Sequence, residues 1–393
     1  WVAPCGSHGE IGDARPLGPE RHEHAAPAWG DAQSYAWSPN GEAIAHTTNH
    51  SGSVCLAVVD VQTGRRRLVG EEMGSHGEPS WLDQKTVLCT FSGPHDPADI
   101  YVHDVDSNRR RRLTWSAVGG LGAVATVDPT SVSWDAASGA RVHGLLYTPR
   151  PRAPEDSQEP GYPVLLQFHG GPTSQAVVRW EPLIQYFVQR GWMTLQVNYR
   201  GSSGYGRAYK DALNGRWGQG ELEDAVAAVE WLRDHVAKEQ PVDTTRLVPW
   251  GGSNGGYAVL LCLTKAPELF KAGVSMYGIS ELFTLAEPTN RFERYYQDTL
   301  IGPSWRRSDH YRDWSPLTHA EAIRAPVLLL HGDQDDSVAI DQSERFVDAL
   351  KRAGKTHDYH VYPGEGHGWR RLATQQDYVD RMERFLRHQV LER

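Results

Sequence analysis

Residues 251–256, Gly251-Gly252-Ser253-Asn254-Gly255-Gly256, place a serine hydroxyl among small neighbours. An apolar β-type run over residues 246–250 precedes them, and a helical pattern starts near Gly256. A serine at so sharp a strand-to-helix turn is a nucleophile elbow, in which small neighbours let the backbone fold back and expose Oγ. The pentapeptide Gly-x-Ser-x-Gly is common by itself; the strand before it and the helix after it give it weight. A nucleophilic serine needs a base to take its proton, and the base needs a carboxylate to orient it. Both are supplied downstream. The strand expected over 327–330 runs into His331-Gly332-Asp333-Gln334-Asp335-Asp336-Ser337-Val338, and the one over 357–362 into Gly364-Glu365-Gly366-His367-Gly368-Trp369. Serine, then acid, then histidine, each after a strand, is the order of an acyl-transfer triad on an α/β-hydrolase sheet. His367, flanked by glycines, is free to swing over Ser253. Asp333, Asp335 and Asp336 share one loop, and spacing leaves all three open as the acid, the others then capping the next helix. An oxyanion would be bound by the N–H of the residue after the nucleophile, Asn254. A second N–H would come from the loop Phe168-His169-Gly170-Gly171-Pro172, whose glycines allow approach to about 3 Å.

These residues must be carried by alternating strands and helices. From about residue 131 strands are expected over 141–147, 163–168, 193–199, 246–250, 272–276, 326–330 and 357–362. Helices are expected over 221–239, 342–351 and 375–391; the first shows Leu222, Ala225, Val226, Val229 and Leu232 at helical spacing after an acidic first turn. Buried β runs alternating with amphipathic helices predict a mostly parallel sheet covered on both faces. The first third reads differently. Trp37 and Trp81, 44 residues apart, each precede a turn, two β-rich strands, an Asp-containing hairpin turn and a basic closing strand. That is the period of a four-stranded propeller blade. The arginine runs 65–67 and 109–112 recur at the same point of both repeats and read as solvated strand ends. Two domains are therefore expected, an all-β partial propeller of about two blades over 1–130 and an α/β-hydrolase domain over 131–393. The boundary falls within 118–127, and the Pro-rich stretch 149–160 is a surface loop inside the second domain. Two blades do not close a propeller, so they are a fragment or pack on the second domain or a partner; the surface could dock a second copy of the chain.

Length and composition set bounds. The 393 residues suit two domains, and 23% charged with 39% hydrophobic residues is ordinary for a globular chain. A net charge of −9 gives no reason to expect nucleic acid or an anionic membrane as partner. No apolar run approaches the roughly 20 residues of a membrane span. No secretory signal pattern is visible, although the chain opens on Trp1 and not on Met. Cys5, Cys55, Cys89 and Cys262 lack Cys-x-x-Cys spacing and read as reduced thiols of a cytoplasmic protein. Arg21-His22-Glu23-His24 lacks the spacing of a metal motif, so neither a metal nor a cofactor is expected.

Four motifs together, His-Gly-Gly-Pro at 169–172, Asn198-Tyr199-Arg200-Gly201-Ser202-Ser203-Gly204-Tyr205-Gly206, Gly-Gly-Ser-Asn-Gly-Gly-Tyr at 251–257 and His-Gly-Asp-Gln-Asp-Asp-Ser-Val at 331–338, resemble the catalytic domain of the prolyl oligopeptidase family. The likeness covers roughly 131–393 and is nearest to the acylaminoacyl-peptidase and dipeptidyl-peptidase-like branch. It implies a serine peptidase acting on short peptides or aminoacyl and acylaminoacyl amides. The family pattern of Asp, two residues and Val selects Asp335, with Val338 as the Val and Asp336 in reserve. It implies Gly171 and Asn254 as oxyanion donors, a backbone donor being favoured because His169 stands where some branches place a Tyr. It also implies a primary pocket near Tyr257, Tyr277, Phe283 and Val338. Two departures matter. Ser337 stands where many relatives carry Arg or Asn, and no Glu-Glu pair can be assigned as an amino-terminus anchor, since Glu71-Glu72 reads as solvated surface. An ester hydrolase on the same machinery is the rival enzyme reading. A regulatory module with a vestigial site is the rival from another class, against which the intact Ser, Asp and His set argues.

Overall fold

The computed structural model describes residues 2–3, 10–15, 17, 35–50, 52–70, 73–117, 125–151, 161–285 and 296–392. Cys5, the 21–24 cluster, Glu71-Glu72, most of the expected boundary region and residues 152–160 lie outside them. The described backbone forms two compact units. The first holds residues 1–129 with 177–182 and 203–208, and the second holds the rest.

The first unit is an eight-stranded sheet. Its strands are β1 (Tyr35–Trp37), β2 (Ala43–His50), β3 (Ser53–Asp60), β4 (Arg66–Gly70), β5 (Ser75–Trp81), β6 (Thr86–Ser92), β7 (Asp99–Asp104) and β8 (Arg109–Arg112). β1 to β4 pair antiparallel in sequence order, and so do β5 to β8. These two four-stranded repeats are the two blades that the tryptophan spacing predicts, with Leu56, Val58, Val87 and Cys89 in a shared apolar cluster. The basic strand β8 is committed locally. Arg110 lies over the rings of Phe91 and Tyr101, at 4.4 Å and 4.8 Å, and Arg112 pairs with Asp99.

The second unit is a second eight-stranded sheet in the order β16-β15-β14-β13-β11-β12-β10-β9. Its strands are β9 (Pro129–Asp135), β10 (Arg141–Tyr147), β11 (Tyr162–Phe168), β12 (Met193–Asn198), β13 (Val242–Gly252), β14 (Gly273–Met276), β15 (Val327–Gly332) and β16 (His357–Tyr362). β10 runs antiparallel to β12; from β12 to β16 every pairing is parallel. Val164, Leu166, Leu195, Val197, Leu247 and Leu329 form one core with Ala225, Ala228, Val229 and Leu232 of the covering helix and with Phe346 and Val347 of a later one. Strands so deeply buried read as continuous apolar runs because helices cover both faces.

Among the departures from expectation, two concern the second sheet and a helix that covers it. β9 was not expected, because only Val132 and Trp134 alternate in it; Trp134 nonetheless stacks on Trp231 with ring centroids 5.4 Å apart. The long helix expected over 221–239 runs Gln219–Trp231 and then widens into a looser turn, Leu232–Val236, before a last turn, Ala237–Glu239. No helix among the described residues is long and apolar enough to cross a membrane.

Candidate active site

In a parallel sheet all strands end at the same edge, and that edge carries the candidate residues. Gly252 at the end of β13 is in register with Met276 of β14, Met276 with Leu330 of β15, and Gly332 with Tyr362 of β16. Ser253 follows β13 directly, with φ 57° and ψ −126°, a left-handed conformation that a side chain rarely adopts. The helix Asn254–Lys265 begins one residue later, two residues ahead of the start expected from sequence. The bend is tight enough to demand glycine. A Cβ on Gly255 would stand 2.1 Å from the Phe168 carbonyl oxygen, and one on Gly251 would stand 2.6 Å from the same atom. Gly255→Ala is therefore expected to cost on the order of 3 kcal/mol of stability and most of the activity, read by thermal unfolding and hydrolysis assays. Unchanged behaviour would mean that the elbow is looser than this geometry.

Of the three aspartates in the loop after β15, Asp335 faces the histidine. His367 Nδ1 lies 2.7 Å from Asp335 Oδ2. Asp335 Oδ1 accepts the N–H groups of Ser337 and Val338, each at 2.9 Å, and His331 Nε2 lies 3.5 Å from Oδ2. Burial pushes the Asp335 carboxyl up, but hydrogen bonds from His331 and His367, the charge on His367 and the Val338 N–H outweigh it. They hold the carboxyl well below the usual carboxylate range, so it stays ionised at working pH. Asp333 instead accepts the Gly364 N–H at 2.6 Å, tying the loops after β15 and β16 together, while Asp336 is exposed.

Tyr277 links the two halves. Its ring centroid is 4.6 Å from that of His367, and a Cβ on Gly252, beside Ser253, would stand 2.8 Å from its hydroxyl. Burial, reinforced by the Asp335 charge, pushes the phenol up to about 12, so it remains a neutral donor. Ser253 Oγ makes no hydrogen bond to His367 among the described residues; such contacts often tighten only when substrate binds.

The side from which oxyanion donors are expected is held by buried polar groups. The loop after β11 passes beside the serine: a Cβ on Gly170 would be 3.4 Å from Ser253 Cβ. Gly171 follows with φ 129°. As the first residue of its helix, Asn254 has an N–H without a carbonyl one turn back to receive it. The Asn254 side chain accepts from Trp217 Nε1 at 2.6 Å and donates to the Tyr199 hydroxyl at 2.9 Å and to Glu221 Oε1 at 3.4 Å. The Tyr199 hydroxyl in turn donates to the His169 carbonyl at 2.9 Å, and its ring stacks on that imidazole. His169 is desolvated, which holds it down to about 4 and neutral; its ring nitrogens lie 2.8 Å from the Gly170 carbonyl and 2.8 Å from Ser202 Oγ. Both ring nitrogens are thus engaged away from an incoming oxyanion.

Glu221 and Trp217 were not singled out from sequence, and Tyr199 was read only as part of the 198–206 motif. Glu221 was visible only as the acidic first turn of a helix, although it accepts the Gly218 N–H at 2.7 Å and is fully buried. Burial drives its carboxyl up to about 7, only partly offset by N–H donors and Asn254, and the Asp224 charge adds to the rise. Between pH 4.5 and 7 the native carboxyl keeps a proton that the unfolded chain loses, so stability falls as pH rises through that window. At about 1.36 kcal/mol per pH unit the fall is about 3 kcal/mol. Glu221→Gln should flatten this part of the stability profile, as measured by denaturant unfolding at several pH values; an unaltered slope would remove Glu221 as its source.

The expected pocket residues separate. Val338 is buried behind Asp335 and shares an apolar cluster with Trp217, Tyr257 and Tyr311. Phe283 is 39% exposed and packs on Tyr311 at 5.1 Å. Tyr257 corrects the expectation. It is wholly buried, with its hydroxyl donated to the Trp314 carbonyl at 2.8 Å, so no part of it is open to a ligand.

A mostly parallel sheet with a strained serine after one strand and a histidine–carboxylate pair after the last two defines an α/β hydrolase. A model of the prolyl oligopeptidase family (Peptidase_S9) matches residues 178–392, more than half of the chain. The chain belongs to the prolyl oligopeptidase family, whose members are serine peptidases. It is 30% identical over 302 residues to dipeptidyl aminopeptidase BIII of Pseudoxanthomonas mexicana, covering 74% of this chain and 42% of the relative. It is 25% identical to the acylamino-acid-releasing enzyme of Arabidopsis thaliana over 84% of this chain and 46% of the relative. The fold matches a puromycin-hydrolyzing peptidase of Mycobacterium tuberculosis with TM-score 0.86 and 32% identity, over 97% of this chain and 57% of that one. The chain thus spans less than half the length of the dipeptidyl aminopeptidase and of the acylamino-acid-releasing enzyme.

Proposed function

We propose that the chain hydrolyses amide bonds of short peptides or of aminoacyl and acylaminoacyl amides through an acyl-enzyme. Ser253 Oγ attacks the carbonyl carbon as His367 Nε2 takes its proton. Asp335 orients the imidazole through Nδ1 and stabilises the imidazolium. The Asn254 and Gly171 N–H groups receive the negative charge that develops on the carbonyl oxygen. His367 then passes the proton to the leaving amine, and water repeats the sequence in reverse to free the acid. The 2.7 Å contact between His367 Nδ1 and Asp335 Oδ2 carries this reading, since it leaves the opposite ring nitrogen as the base. The substrate class rests on the relatives: one is named for dipeptidyl, one for acylamino-acid and one for puromycin substrates, and puromycin is itself an aminoacyl amide.

A panel of aminoacyl, N-acetyl-aminoacyl and Gly-Pro arylamides, puromycin and a short-chain ester tests it, with Ser253→Ala as control. Arylamide release that the control lacks would support the peptidase, and the preferred member would name the branch. Cleavage of the ester alone would replace this reading with an ester hydrolase, and turnover equal in the control would contradict Ser253 as nucleophile.

A further inference from the structure

The first unit contains a side-chain cluster that acyl transfer does not use. His76 on β5, Cys89 on β6 and His103 on β7 occupy three consecutive antiparallel strands. The register sets them on a diagonal. His76 is paired with Phe91, two residues from Cys89, and Cys89 with Tyr101, two residues from His103. Residues two apart on a strand share a face, so the three side chains converge. Their ligand atoms, one nitrogen from each imidazole and the sulfur, all lie within 4.8 Å of one another. All three residues are buried, with exposures of 3%, 2% and 0%. His76 Nδ1 lies 3.0 Å from the Val54 carbonyl, to which it can only donate, so in the neutral ring Nε2 carries the lone pair. That outer hydrogen bond is the one that fixes the tautomer of metal-bound histidines. Behind the cluster runs the end of β4. A Cβ on Gly70 would stand 2.5 Å from His76 Nε2 and 3.2 Å from His103 Cε1, so a larger residue would intrude on both rings.

From this juxtaposition we infer that His76, Cys89 and His103 form a structural site for one d10 transition-metal cation, Zn2+ or Cu+, that ties β5, β6 and β7 together. Two imidazoles and a thiolate suit both ions and do not suit Mg2+ or Ca2+, which take oxygen ligands. Ligand atoms around tetrahedral zinc stand about 3.4–3.8 Å apart, so side-chain shifts of about 1 Å would close the set. As the sulfur–metal bond forms, the Cys89 thiol proton leaves to solvent; the ion keeps its oxidation state. Burial keeps substrate away, which makes the role structural.

The full chain, stripped with a chelator and kept reduced, is titrated with Zn2+ and, anaerobically, with Cu+. The metal retained after gel filtration is then counted. One ion per chain is expected from at least one of the two metals, and which one binds names the occupant. Co2+ used as a probe should give a thiolate-to-cobalt charge-transfer band. Cys89→Ser and His103→Gln should each weaken retention by about 100-fold or more, and Cys89→Ser should abolish the band. Cys55→Ser and Cys262→Ser should leave both intact. Hydrolytic activity in the same samples reports folding of the variants. Should a variant fail to fold, the wild-type stoichiometry and cobalt band still decide, because a chain that retains neither ion and gives no band refutes the site. Retention unchanged in Cys89→Ser and His103→Gln would also overturn it.

Discussion

Ser253→Ala is expected to lower kcat for amide hydrolysis by roughly 10⁴ to 10⁶ while leaving KM within a few-fold of wild type. The reasoning is local. The methyl group fits wherever the hydroxymethyl group fits, so the strained turn between β13 and its helix is retained, along with the two N–H groups beside it. Only the attacking oxygen is lost. In the proposed mechanism Ser253 and His367 act as one unit, so adding His367→Ala to the first substitution should cost little more, and the double variant should fall near the single one. Independent losses that multiply would show that the two residues serve different steps. Steady-state kinetics on the preferred arylamide for the two single variants and the double variant separate these outcomes.

Asp335→Asn should cost about 10⁴ in kcat with little change in fold. Its two backbone donors, Ser337 and Val338, can still be satisfied by the amide oxygen. The amide nitrogen would then face His367 Nδ1 as a donor and force the imidazole into the other tautomer, with its proton on the nitrogen that should accept from Ser253. Loss of the negative charge also withdraws support from the imidazolium. The companion substitution Asp336→Asn alters an exposed residue and should leave kcat within about two-fold of wild type. The reverse ranking of these two variants would move the orienting role to the neighbouring aspartate.

The contrast between those aspartates shows what was legible in the residues. The serine turn could be read because its requirements are local: a β run, glycines on both sides and a helix. The strand-end placement of His367 was readable for the same reason, and the 44-residue tryptophan spacing disclosed two four-stranded blades. Choice among Asp333, Asp335 and Asp336 was not local. It depends on how the loops after β15 and β16 meet, which brings Gly364 onto Asp333 and His367 onto Asp335. Glu221 lay further beyond reach, since its network joins residues 169, 199, 217, 221 and 254 from separate elements. Tyr257 was misplaced because an aromatic residue one turn into a helix has the same periodicity whether it lines a pocket or packs beneath one.

Active-site labelling tests the central claim most directly. The chain is incubated with a fluorophosphonate, which phosphonylates a serine oxygen only where a base and oxyanion donors activate it, and the adduct is mapped by peptide mass spectrometry. One equivalent on Ser253 is predicted, abolished in Ser253→Ala and slowed by orders of magnitude in His367→Ala. Labelling of a different serine, or labelling of Ser253 that proceeds as fast without His367, would contradict the account.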